Sequence, residues 1–284
     1  MKRIPIPGAD VEAVLTACLE SVRNEQLRSS LREASPGFRA AELAYLHAAA
    51  HEALFQIPGS DDVDGHVTTK DMEALYKGNF SRSRSPARRI YDAIKLAPPH
   101  GICPLCGQRV VATLDHYLAK SLHPKLAITP ANLVPACSDC NKLKLDRQAR
   151  DAQEQPLHPY FDALPDGVWL FADVWVTSPP TVRYAARPPA QWPALAVARL
   201  HHHFQLYGLA ELYGSQAAAE LVDISFGLVE IADVSSVAEV KSHLEQQGRS
   251  RAAHDANSWK AALYRGLAAS EWFCAEGFRL IRAA

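Results

Sequence analysis

Two CxxC pairs constrain the fold of this chain more than any other feature of its sequence. Cys103 pairs with Cys106 and Cys137 pairs with Cys140, and 30 residues lie between the two pairs. Four thiolates at this spacing can enclose one Zn²⁺ tetrahedrally, and such an ion has no open position and is structural. It would close the intervening residues into a loop and supply folding energy that so small a module cannot obtain from its own core. We therefore expect one structural zinc per chain.

The composition fits a soluble protein of about two structural units, since the chain has 284 residues, 48% of them hydrophobic and 21% charged. No apolar run approaches the ~20 residues that a bilayer-spanning helix needs. The first ten residues lack the apolar stretch of a signal peptide. We expect a cytoplasmic protein without membrane contact, in which paired cysteines bind metal instead of forming disulfides.

The distribution of charge is more informative than the net charge of −1. The segment from Lys77 to Arg150 holds 13 Lys and Arg against 4 Asp and Glu, so it carries +9 and the remaining chain carries −10. A basic stretch in an otherwise acidic chain is typical of a surface that contacts phosphate groups. The alternative is an ordinary solvated face. The arginines that lie just upstream of the cysteines are Arg82, Arg84, Arg88 and Arg89.

Hydrophobic periodicity predicts an α+β fold that is mainly α. We predict a helical N-terminal region at residues 1–98, a cysteine module at 99–165, and a C-terminal region at 166–284 that begins with a short β-hairpin and continues as helices. Thr69 and Ser85 are the predicted N-caps of two helices in the first region. Breaks in the C-terminal helices are predicted near Gly214, Gly227 and Gly248.

The residues between the cysteine pairs have the pattern of a ββα unit. Residues 110–114 have the composition of a strand, and Asp115 and His116 stand at its end. Residues 138–145 have the pattern of a helix that begins at the second pair, so Asn141 lies in its first turn. The sequence therefore predicts strands, a loop and a helix that are clamped together by zinc.

The segments CPLC, LDHYLAKS, ANLVPAC and CNKLK resemble the HNH endonuclease family, whose module is a ββα-metal fold. The resemblance covers less than a quarter of the chain. The resemblance implies that His116, Asn132 and Asn141 are the first, second and third residues of the HNH motif, and that His116 is the general base. Asn141 replaces the usual His, a variation that the family tolerates.

The chemistry of phosphodiester hydrolysis fits these residues. An imidazole near neutral pH can activate water, and a divalent cation can neutralise the charge that develops on the phosphate. We assign His116 as the base, and Asp115 with Asn141 as ligands of a catalytic Mg²⁺ or Mn²⁺, because these ions prefer oxygen donors. Asn132 is expected to orient the loop or the His116 ring, or to be a simple turn residue.

One geometric condition accompanies this assignment. Neighbouring residues on an ideal strand point to opposite faces. Asp115 and His116 can therefore address the same site only if the strand ends or bulges there.

Several further residues carry open alternatives. Lys120, Lys142 and Lys144 are candidate phosphate contacts, and each is equally well explained as a solvated lysine. His158 belongs to an HPYFD segment that follows the second cysteine pair. It could complete the shell of the catalytic metal, Tyr160 could pack on it, or the segment could be a turn that seals the module.

The first hypothesis for function is a metal-dependent HNH endonuclease acting on DNA. One such site cuts one strand, so a double-strand break requires a homodimer or a partner-held assembly, and a lone site would be a nickase. The resemblance further implies an anti-phage defence role beside an ATPase partner, as in Septu-type pairs. The alternatives are an HNH effector that cleaves RNA or tRNA, a zinc-ribbon module that binds nucleic acid without catalysis, and an effector that stays silent until a partner activates it.

Overall fold

The computed structural model describes residues 2–281, and the chain forms two compact units, Met1–Leu164 and Pro165–Ala284. Helices account for 53% of the structure, and the sheets are three small antiparallel pairs of strands. The predicted class, α+β and mainly α, is confirmed. Within residues 2–281, no helix has the length and apolar character needed to cross a membrane.

Among its described residues, the first unit contains six α-helices, several 3-10 turns and two of the strand pairs. Its helices are α1 (Val11–Leu19), α2 (Glu25–Glu33), α3 (Ser35–Ala50), α4 (Thr69–Leu75), α5 (Arg88–Lys95) and α6 (Ser138–Lys144). Its strands are β1 (Asp62–Val63), β2 (Val67–Thr68), β3 (Thr113–His116) and β4 (Leu133–Ala136). A π-helical turn, Tyr76–Phe80, continues α4.

Two predicted helix caps in this unit are wrong. The N-cap of α4 is Thr68 and not Thr69, because the carboxylate of Asp71 completes a capping box with the Thr68 side chain and backbone. The hydroxyl of Ser85 bonds to the carbonyls of the preceding turn, so it cannot cap α5, which begins at Arg88 without a side-chain cap. In both places a hydrogen bond to a nearby residue decided where the helix begins.

One hydrophobic core runs through the first unit. Its buried residues come from helices of the predicted N-terminal region and from both strands of the cysteine module. Examples are Val14, Phe38, Met72, Ile94, Leu114 and Leu133. The predicted regions 1–98 and 99–165 therefore pack into a single unit, in which the N-terminal helices support the strands of the module.

The strands of the module pair as the ββα pattern requires. β3 and β4 are antiparallel, with Asp115 opposite Val134 and His116 opposite Leu133. Strand β3 begins at Thr113 and not at Val110, where the sequence predicted it to begin. Val110 makes only an isolated bridge to Ile102. The helix predicted after the second cysteine pair is present as α6.

The second unit consists of a β-hairpin and helices. The hairpin joins β5 (Leu170–Trp175) to β6 (Thr181–Ala186) and agrees with the predicted one. The helices are α7 (Ala194–Leu206), α8 (Leu209–Val234), α9 (Val237–Ala252), α10 (Trp259–Ala269) and α11 (Glu271–Ala275).

The helix breaks predicted at three glycines of this unit are wrong. Helix α8 continues through Gly214 and Gly227, and α9 continues through Gly248. A glycine inside a helix costs about 1 kcal/mol relative to alanine, which packing of a long helix readily offsets. The break between α7 and α8 falls instead at Gly208, where φ is +58° and a left-handed backbone is needed.

Candidate active site beside a cysteine cluster

The four paired cysteines come together as one buried cluster. The sulfur atoms of Cys103, Cys106, Cys137 and Cys140 all lie within 4.8 Å of one another. A tetrahedron with Zn–S bonds of about 2.3 Å has edges of roughly 3.8 Å, so the cluster matches a Cys₄ site closely enough to hold a zinc ion. Among residues 2–281, this is the one group of three or more Cys, His, Asp or Glu side chains placed to do so.

The backbone around the cluster is arranged to stabilise thiolates. The amide of Arg109 donates to Cys106 Sγ at 3.5 Å, and the amide of Cys140 donates to Cys137 Sγ at 3.4 Å. Hydrogen bonds to the charged form of a group favour that form. Gly107 provides the positive φ of +64° that turns the chain after the first pair. The cluster therefore ties the first turn to the N-terminus of α6.

A cavity of about 330 Å³ lies where β3 ends and α6 ends. Its wall is formed by Asp115, His116, Ala119, Lys120, Ser121, Asn141, Leu145 and Asp146. Three residues assigned from the sequence, namely His116, Asp115 and Asn141, thus line a single cavity. Strand β3 ends at His116. Asp115 and His116 can therefore line the same cavity, although neighbouring residues within a strand point to opposite faces.

The imidazole of His116 is held by two contacts. Its Nε2 lies 2.8 Å from the carbonyl oxygen of Ala127, and the Tyr76 ring packs edge-on with its centroid 4.5 Å from that of the imidazole. A carbonyl only accepts, so Nε2 carries the proton and the lone pair is on Nδ1. Burial lowers the pKa of His116 to about 3, and the Ala127 carbonyl offsets this only in part. The ring is therefore neutral at physiological pH, with Nδ1 as its proton acceptor.

The carboxylate of Asp115 is buried against a lysine of α6. Burial raises the pKa of Asp115 to about 6, and the nearby Lys144 ammonium acts in the opposite direction. Lys144 Nζ lies 3.2 Å from Asp115 Oδ2 and 2.6 Å from the carbonyl oxygen of His116. Only 2% of Lys144 is exposed. Both alternatives offered from the sequence, a surface phosphate contact and a solvated lysine, are therefore wrong for Lys144, which anchors the end of β3.

Replacing Lys144 with methionine is expected to destabilise the protein by about 3–5 kcal/mol, because it leaves the Asp115 carboxylate buried without its partner. The matched control is Lys142→Met, which removes an exposed lysine of the same helix and should change the free energy of unfolding by less than about 0.5 kcal/mol. Urea denaturation of the two variants measures the difference. Equal free energies for both would contradict the anchoring role.

Asn132 is a buried structural residue of the loop between β3 and β4. Its Oδ1 accepts from the amide of Leu118 at 2.7 Å, and its Nδ2 donates to the carbonyls of Leu118 and Leu126 at 3.0 and 3.1 Å. The side chain thus holds both ends of the loop that supplies the Ala127 carbonyl. Of the roles considered for Asn132, the structure places it in orienting the loop, and its amide groups bond to backbone and not to the His116 ring.

His158 lies in an aromatic cluster away from the cavity wall. Its Nε2 is 2.9 Å from the hydroxyl of Tyr45, and its Nδ1 accepts from the amide of Tyr160. The ring also packs against the Tyr117 ring at a tilt of 32°, with centroids 4.4 Å apart. Both ring nitrogens are therefore engaged in packing the segment against the unit, which matches the alternative of a turn that seals the module. The metal-ligand alternative for His158 does not fit this geometry.

The other candidate lysines differ in position. Lys120 lines the cavity with its side chain 26% exposed, and its ammonium lies 3.9 Å from a carboxylate oxygen of Glu73. Lys142 is exposed on α6 outside the cavity wall. Of the three candidate lysines, Lys120 and not Lys142 or Lys144 contributes to the cavity wall.

Three contributors to this site were missed from the sequence. Tyr76 comes from the predicted N-terminal region, and a residue 40 positions from His116 gives no local signal. The Ala127 carbonyl leaves no signal at all, because any residue supplies the same group. Asp146 lines the cavity, and its place five residues after Asn141 could have marked it as a further oxygen donor.

Comparison with known proteins gives one relative of similar length. The chain is 28% identical to protein ea31 of Escherichia phage lambda over 294 residues, which cover 96% of this chain and 99% of that protein. No protein-family model matches the chain, and no solved structure matches it. The similarity spans both compact units.

Proposed function

We propose that this protein is a metal-dependent endonuclease of the HNH kind that hydrolyses phosphodiester bonds in DNA. The observation that carries the proposal is the shared cavity, in which His116, Asp115 and Asn141 meet beside a buried cysteine cluster. A zinc-ribbon module that only binds nucleic acid would account for the cysteines. It would leave unexplained why a neutral imidazole and oxygen donors line one cavity.

His116 is the proposed general base. Its Nε2 proton is donated to the Ala127 carbonyl, so the Nδ1 lone pair is free to take a proton from a water molecule. The Tyr76 ring and the loop held by Asn132 keep the imidazole in one orientation. Fixing the base before substrate arrives removes an orientation cost from the reaction.

The oxygen donors of the cavity suit a hard divalent cation. Asp115, Asn141 and Asp146 would hold Mg²⁺ or Mn²⁺, since these ions prefer carboxylate and amide oxygens. When bound, such an ion supplies positive charge to the phosphate and to the leaving oxygen. Asp115 would share its carboxylate between the ion and the Lys144 ammonium, and Lys120 would face the phosphate.

The basic segment that follows Tyr76 is the proposed path of the nucleic-acid backbone. Arg82, Arg84 and Arg89 are exposed and have no ion pair among the described residues, whereas Arg88 is paired with Asp92 at 2.9 Å. Tyr76 packs edge-on against the His116 ring, and the arginines begin at Arg82, just after the π-helical turn that starts at Tyr76. We therefore expect these arginines to contact the phosphates of DNA that occupies the cavity.

Changing Arg82, Arg84 and Arg89 together to glutamine is expected to reduce the salt dependence of DNA binding. Each phosphate contact that is lost lowers the slope of log K against log salt by about 0.9, so the slope should fall by about 2 to 3. The control with equal charge change is Arg39→Gln, Arg249→Gln and Arg279→Gln, whose guanidinium groups are each paired with a carboxylate. An unchanged slope in the first variant would show that the backbone runs elsewhere.

The test of the proposed activity is cleavage of supercoiled plasmid by the purified protein with Mg²⁺ or Mn²⁺, with EDTA as the control. Conversion to the nicked form before the linear form is expected, because one site cuts one strand. Cleavage of tRNA but not plasmid would favour the RNA alternative, and binding without cleavage would favour the zinc-ribbon alternative. The ATPase partner, the homodimer, the anti-phage role and the cytoplasmic location remain predictions from the sequence.

A further inference from the structure

Leu145, the residue that follows the last residue of α6, has a strained backbone conformation. Leu145 has φ 50° and ψ −130°, a backbone conformation that side chains other than glycine rarely adopt. The residue is also 61% exposed, so burial of apolar surface does little to compensate for the strain. Glycine would remove both disadvantages, and neither folding nor solubility explains why a leucine stands here.

The position of Leu145 connects it to the candidate active site. It lines the cavity together with Asp115, His116 and Asn141. Its amide donates to the Asn141 carbonyl at 3.0 Å, and its own carbonyl accepts from Lys144 Nζ at 3.4 Å. The strained backbone is therefore fixed by hydrogen bonds at both its amide and its carbonyl, and the residue forms part of the cavity wall.

The surroundings of Leu145 combine apolar and basic groups. Leu143, in the last turn of α6, is 42% exposed, and Lys142 and Arg147 are exposed residues that flank the two leucines in sequence. Surfaces that hold nucleic-acid strands place basic side chains on phosphates and apolar side chains on bases and sugars. Strained backbone that the surrounding structure maintains is concentrated at functional sites.

We propose that Leu145 packs against a base or deoxyribose of the DNA strand that enters the cavity, next to the phosphate to be cleaved. The proposal rests on the function proposed above and adds to it a substrate-contacting residue. Lys142 and Arg147 would contact the flanking phosphates. The leucine would hold the strand in place by apolar contact, which is independent of salt.

The test uses the full-length His116→Ala protein, which binds without cutting, and a 30-base-pair DNA duplex as the probe. Adding Leu145→Gly is expected to raise the melting temperature by about 2–4 °C, because backbone strain is relieved. The same change should weaken the Kd of the duplex about tenfold, in line with the loss of one apolar contact to a base. Leu145→Met should retain most of the affinity, since it keeps an apolar side chain.

The matched control is Leu43→Ala, which removes another exposed leucine, 68% exposed on α3. It should leave the Kd unchanged. A Leu145→Gly protein that binds the duplex as tightly as its parent would overturn the inference, and so would a lower melting temperature. If the parent binds no DNA and the wild-type protein cuts none, the proposed function itself fails. If the His116→Ala parent binds the duplex and the Leu145→Gly variant binds it with the same Kd as the parent, only the present inference fails and the proposed function stands.

Discussion

Replacing His116 with alanine is expected to slow plasmid cleavage by about 100- to 10,000-fold, the range that a positioned general base contributes. The reason is geometric. Nδ1 is the proton acceptor of the ring that faces the cavity, because Nε2 is bonded to the Ala127 carbonyl. No other histidine lines that cavity in the part of the chain that the structure describes, so a substitute base is lacking.

The control for this variant is His66→Ala, which removes an exposed histidine and should leave the cleavage rate unchanged. Zinc content and the circular dichroism spectrum of both proteins must match the wild type, so that a loss of rate reports chemistry and not unfolding. Cleavage by the His116→Ala protein within threefold of the wild-type rate would show that His116 is not the base.

Replacing Cys140 with serine is expected to release the bound zinc, unfold the first unit and abolish cleavage. Structural zinc contributes an apparent 10–16 kcal/mol in zinc-finger peptides, which is as large as the total stability of a typical domain, about 5–15 kcal/mol. Losing one of four ligands therefore removes a large part of the stability of the module. Elemental analysis should find one zinc per wild-type chain and much less than one in the variant.

Cys274→Ala is the matched control, because Cys274 is a buried cysteine of the second unit. It should keep the full zinc content and the full cleavage rate, and lose at most about 1–2 kcal/mol of stability. A Cys140→Ser protein that retains one tightly bound zinc, or that melts at the wild-type temperature, would contradict a structural metal in the cysteine cluster.

The parts of the candidate site that were predictable from sequence are those fixed by local spacing. The approach of the two CxxC pairs could be predicted because four thiolates at this spacing match a single tetrahedral zinc site. His116 could be placed because it stands at the end of a strand whose pattern is visible, and Asn141 because it lies in the first turn of a helix that begins at the second cysteine pair. The hairpin of the second unit followed from its β-branched and aromatic residues in the same way.

The parts that could not be predicted depend on contacts between distant segments. A lysine near the C-terminus of a short helix usually points to solvent, and the sequence does not show that β3 covers Lys144 from 28 residues away. Tyr76 reaches His116 across 40 residues for the same reason. The helix breaks predicted at the glycines of α8 and α9 were wrong for a similar reason. Packing along a long helix outweighs the small local cost of a glycine.

Helix α6 is attached at both ends, through the cysteines at its start and through Lys144 at its finish. Its seven residues span about 10 Å, and one residue more or fewer would rotate the lysine by about 100° around the helix axis and away from Asp115. The length of this helix therefore sets the distance between the cysteine cluster and the end of β3. Insertions and deletions in diverging copies of this protein should accumulate in exposed loops elsewhere and be absent from α6.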